Sequence, residues 1–131
     1  MEPVLAKAWP EKQAGLKDFC ERLLAAASKH EGVEWESVAR EGISHSFRAV
    51  KPQSGDRPLW MMVDVITGDE DWWLSIVFFA SDVTDPDELG DEAPDSLYGE
   101  TACLFDVDEP DEELLGYVTK RVEEAYSAAS G

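Results

Sequence analysis

Apolar residues recur at helical spacing from about Glu11 to Glu31. Leu16, Phe19, Cys20, Leu23, Leu24 and Ala27 share one face, while Lys17, Asp18, Glu21 and Arg22 occupy the others. The spacing predicts an amphipathic helix that ends at Gly32. Upstream, Val4, Leu5 and Trp9 form a short arm or first turn, which Pro10 separates from the helix. No clear period marks Val33 to Gly42.

The period then changes to two. Ile43, His45, Phe47 and Ala49 alternate with Ser44, Ser46, Arg48 and Val50, and Leu59 to Thr67 and Trp72 to Phe79 make two further strands. Turns are expected at 52–56 and 68–71, and a fourth strand over Thr101 to Val107. A last helix opens at Asp108 or Glu109, with Pro110 in its first turn and acidic residues at its positive end. Leu114, Leu115, Val118, Val122, Ala125 and Ala129 form its apolar stripe. The expectation is an α+β two-layer sandwich: about four mainly antiparallel strands, with the N- and C-terminal helices on one face, all within residues 1–131 as one domain.

The two central strands are apolar on both sides. Strict alternation sets Leu59, Met61, Val63 and Val65 against Trp60, Met62, Asp64 and Ile66, and Trp72, Leu74, Ile76 and Phe78 against Trp73, Ser75, Val77 and Phe79. Helices on one face use only one set. The surplus calls for a covering segment, a curled sheet or an interface, and leaves the chain a monomer or a homodimer.

Charge divides the chain further. Among 131 residues, 29 Asp and Glu oppose 11 Lys and Arg, a formal charge of -18. Residues 1–57 are neutral overall, and residues 58–119 hold 18 acidic side chains and no basic one. That field repels phosphates and argues against nucleic acid. It fits three readings: a solubilising surface, adaptation to a salt-rich host, or recognition of a basic protein. The segment Ala80 to Gly99 reads as an acidic loop, with a short helical turn at Pro86 to Leu89 capped by Thr84.

Candidate chemistry is sparse. A calcium loop starting at Asp85 fails because Leu89 stands where an oxygen ligand is needed and Ser96 where a bidentate Glu is required, and Cys20, Cys103, His30 and His45 contain no close zinc-ligand pair, so no cofactor is expected. Asp64 and Asp106, on different strands, are the one conceivable acid-base pair for a small enzyme, and His45 is a weaker base. No phosphate-binding glycine loop occurs. The two cysteines read as buried thiols, and with no leader-like start and no long apolar run the chain reads as cytoplasmic and not membrane-bound.

In element order the pattern loosely resembles small acidic bacterial secretion chaperones and some toxin-immunity proteins, which implies noncatalytic protein binding. The expected contact surface joins an exposed aromatic, Trp60 or Trp73, to carboxylates at Asp82, Asp85, Asp87, Glu88, Asp91, Glu92, Asp95, Glu100, Asp111 and Glu112.

Overall fold

The first long helix, α2 (Ala14–Ser28), buries all six of its predicted apolar positions, Leu16 through Ala27. A shorter helix, α1 (Pro3–Ala8), precedes it. Glu2 caps α1 by accepting from the Val4 and Leu5 amides, and Pro3 opens it where no amide donor is needed. Trp9 and Pro10 interrupt the path between the two helices, and Trp9 packs on Trp72 with ring centroids 5.0 Å apart. Gln13 then bonds both backbone groups of Trp72, donating to its carbonyl and accepting from its amide, each at 2.8 Å. This computed structural model describes residues 2–52, 57–68 and 71–130.

Six strands form the sheet: β1 (Glu34–Arg40), β2 (Ser44–Val50), β3 (Leu59–Ile66), β4 (Trp73–Phe79), β5 (Asp91–Leu97) and β6 (Glu100–Val107). Their spatial order is β1-β2-β3-β4-β6-β5, and every neighbouring pair is antiparallel. The final helix, α3 (Glu112–Ser130), lies beside α2 on one face. The α+β class and the helix placement are as the pattern predicts, but there are six strands rather than four. Both additions are edge strands: β1 lies in the unpatterned stretch, and β5 inside the expected acidic loop. Parts of two predicted turns, 53–56 and 69–70, lie outside the described residues.

The helix-side core contains Phe47, Ala49, Val63, Val65, Leu74, Ile76, Phe78, Cys103, Phe105 and Val107 under Leu23, Val118 and Val122. One slip breaks the alternation. Ala49 pairs with Met61 but Val50 with Leu59, so Trp60 is an extra, bulged residue. Trp60 and Met61 therefore both enter the helix-side core, and Leu59 passes to the opposite face with Val50, Val77, Phe79, Leu97 and Ala102.

Two termini differ in detail from expectation. Asp111 Oδ1 accepts from the Glu113 and Leu114 amides at 2.9 and 3.1 Å and so caps α3, which leaves Pro110 before the cap. Pro110 packs against Gly15, where a Cβ would meet its ring at 2.9 Å. Replacing Asp111 with alanine should cost about 1 kcal/mol, read from the urea unfolding midpoint. Thr84 caps no helical turn; both its amide and its hydroxyl donate to Glu124 on α3. No described helix is long and apolar enough to cross a membrane.

Candidate functional site

The expected acidic surface separates into two groups. In the first, each carboxylate has an internal task. Asp82 accepts from Arg57 Nη2 at 3.0 and 2.8 Å. Asp85 accepts from the Leu89 and Gly90 amides and from the Tyr117 hydroxyl. Asp111 is a helix cap, and Glu112 takes two bonds from Arg22 at 2.5 and 3.1 Å. The Arg22 bonds hold the Glu112 carboxyl below its ordinary range.

The second group is Asp87, Glu88, Asp91, Glu92, Asp95 and Glu100. All six are exposed, and none makes a side-chain hydrogen bond or ion pair among the described residues. They follow the β5 edge, where Pro94 and a register shift between Ala93 and Leu97 interrupt pairing. Positive φ values at Glu88 and Asp95 bend the same segment.

The aromatics also separate. Trp60 is 0% exposed and meets Tyr126 edge-on at 5.5 Å, so it offers no surface contact. Trp73 is 37% exposed on the face without helices. Tyr98, which sequence reasoning missed, is 71% exposed in the two-residue turn Tyr98-Gly99 between β5 and β6. Both turn residues have positive φ, 50° and 78°, the backbone of a tight hairpin turn. A tyrosine there is held in a region that costs L-residues about 1 kcal/mol. The signal available in sequence was the lone Gly99 between two short extended stretches.

On the helix-free face the residues form rows across the strands. Arg48, Met62, Val77, Leu104 and Asp91 make one, and Ser46, Asp64, Ser75 and Asp106 make the next. The apolar surplus is largely covered by its own neighbours: Phe79 is fully buried beneath the Arg57 guanidinium, 3.8 Å above its ring, with Tyr98 stacked alongside. Beside this cluster opens a cleft of about 700 Å³ with Val50 and Leu59 among its apolar lining and Glu36, Arg48, Arg57, Tyr98 and Glu100 among its polar lining.

The acid-base expectation finds no matching geometry. Asp64 and Asp106 share a row and a face, but Ser75 stands between them, and two strand spacings put them about 10 Å apart. That is too far to share a proton. His45 Nε2 lies 2.8 Å from Ser37 Oγ, a pairing across β1 and β2 that no linear motif reveals. The Glu2 charge reaches His45, but both Glu2 oxygens are committed to the α1 amides. Among the described residues no acid is hydrogen-bonded to the imidazole.

The thiols are not activated. Burial pushes Cys20 up to about 12 and Cys103 up to about 11. Among the described residues no three His, Cys, Asp or Glu side chains are grouped to hold a metal ion. Comparison with known protein families, with curated proteins and with solved structures finds no match, so it is this geometry that bears on function.

Proposed function

We propose that the protein is a noncatalytic binding protein for a basic protein partner, in the manner of a chaperone or an inhibitory immunity protein. The observation that carries this reading is the set of six carboxylates on and beside β5, without side-chain partners among the described residues, that ends at Glu100 beside Tyr98, at the mouth of the cleft. Carboxylates at the rim accelerate encounter, and an exposed aromatic beside an apolar floor supplies short-range contact. Trp73 lies on the same face, six residues along β4 from Phe79, with the polar row through Ser75 between them.

A surface made acidic only for solubility does not need its excess confined to one half of the chain. The charges and Pro94 also guard the β5 edge against unwanted pairing, and that role requires no exposed tyrosine. The two roles separate in one experiment. Proteins retained from extract of the native cells at low and high salt are identified, and association and dissociation rates are measured for the retained basic partner. Changing Asp91 and Asp95 to Asn and Glu92 and Glu100 to Gln should slow association by about tenfold or more at low salt. Tyr98→Asn relieves the turn yet should speed dissociation by about tenfold. Retention that is unchanged in both variants defeats the proposal and leaves edge protection as the use of these residues.

A further inference from the structure

We propose that β1 is the dimerisation edge of the protein and that its occupant is the β1 strand of a second copy, so that two six-stranded sheets join across a two-fold axis. The two edges of the sheet are built differently. β5 carries a proline, a register shift and three carboxylates. β1 has no proline and no register shift, and its two carboxylates are joined by an arginine: all seven of its residues pair in unbroken register with β2, and no described strand covers its outer side. Trp35 ties the strand to α2 by donating from its indole nitrogen to Ser28 Oγ at 2.8 Å.

The strand is also complementary to itself. With the two-fold axis at Ser37, antiparallel pairing sets Glu34 opposite Arg40 of the second copy and Arg40 opposite its Glu34, while Trp35 meets Ala39 and Glu36 meets Val38. Glu34 and Arg40 are exposed, and neither has a side-chain partner among the described residues. The even register keeps the helices of both copies on one side. It joins about six to eight backbone hydrogen bonds across the seam. The alternative centred on Glu36 sets two like charges face to face and is disfavoured.

Charge distribution favours this contact over one between two β5 edges. Residues 1–57, which include β1 and β2, are neutral, whereas the excess lies in residues 58–119. Joining through β1 puts the two β5 edges roughly 50 Å apart at the usual strand spacing. Screening acts over about 8 Å at physiological salt, so the acidic edges do not oppose assembly. Pairing through β5 would set its carboxylates against one another.

Sedimentation equilibrium over a wide concentration range, with the full chain of 14.6 kDa, tests the proposal. The parent should reach twice the monomer mass, and the β1 amides should become protected from exchange as dimer forms. Glu34→Arg alone and Arg40→Glu alone each create two repulsive pairs and should weaken the dimer by about tenfold or more at low salt. The double variant, with both reversals, should restore it, which a misfolded variant would not do. A parent that stays monomeric at millimolar concentration overturns the proposal. So does a dimer indifferent to both single reversals, or a monomer whose β1 amides gain protection only when a different protein is added.

Discussion

Replacing Trp60 with alanine should destabilise the protein by about 3–5 kcal/mol, a large part of the 5–15 kcal/mol that holds a typical domain folded. The side chain is completely buried, and it sits at the bulge where β3 changes phase beneath α3. Its neighbour Tyr126 is tied to the Glu31 carbonyl at 2.5 Å, so the surroundings cannot collapse freely into the vacated space. Trp60→Phe should cost markedly less, because it keeps most of the ring volume and removes a buried indole nitrogen that has no hydrogen-bond partner among the described residues. Trp73→Ala removes a side chain 37% exposed at a strand end and should cost about 1 kcal/mol or less. Urea unfolding of the three variants checks the assignment. Equal losses for Trp60→Ala and Trp73→Ala would mean that the bulge does not divide the two faces as described.

That bulge marks where pattern reading loses its hold. The long helices and the four inner strands are legible because each buries a full stripe or alternate row: α2 hides six apolar side chains, and β4 hides Leu74, Ile76 and Phe78. An edge strand buries far less. β1 has only Trp35 and Val38 partly covered, and β5 only Leu97 buried and Ala93 half covered, so neither shows a period of two. The run Leu59-Trp60-Met61-Met62 is apolar throughout, and such a run carries no mark of the residue at which the phase slips. Charge has a similar limit. Sequence counts carboxylates but not their partners: Arg57 reaches Asp82 over 25 positions, and Arg22 reaches Glu112 over 90. Six of the eight candidate carboxylates on the Ala80 to Gly99 segment and β6 have no side-chain partner among the described residues, and these are the ones on or beside the β5 edge.

The second large effect is expected at Arg121, which holds the start of that acidic segment onto α3. Its side chain is almost wholly buried, its Nε lies 3.0 Å from Glu124 Oε1 at ion-pair distance, and its guanidinium sits 4.5 Å from the Tyr117 ring centroid. Glu124 in turn receives the Thr84 amide and hydroxyl, and Tyr117 donates to Asp85, which gathers the Leu89 and Gly90 amides. One buried cation thus supports two carboxylates that shape residues 84–90. Arg121→Met keeps much of the buried stem and deletes the charge, and the loss at neutral pH should be about 2–4 kcal/mol, since Glu124 remains partly solvated.

Acid should narrow that loss. Partial burial alone would raise the Asp85 carboxyl, but the bonds from Tyr117, Gly90 and Leu89 and the Arg121 charge outweigh it and hold the group below its ordinary value. For Glu124, burial is likewise outweighed by the Thr84 amide and hydroxyl and by Arg121. A carboxyl depressed in the fold contributes stability in full above the ordinary carboxylate range, near about pH 4, and loses it as pH falls through the folded value. Without Arg121 part of the depression is gone, so the parent has more to lose. The self-repulsion of the remaining acidic surface relaxes in both proteins and largely cancels in the difference. Urea unfolding of parent and variant between neutral and acid pH should show the gap closing below the ordinary carboxylate range, with faster amide exchange at Leu89 and Gly90 in the variant at neutral pH. A gap that stays constant through acid would assign the loss to packing of the Arg121 stem and remove its charge from the account of how the segment is held.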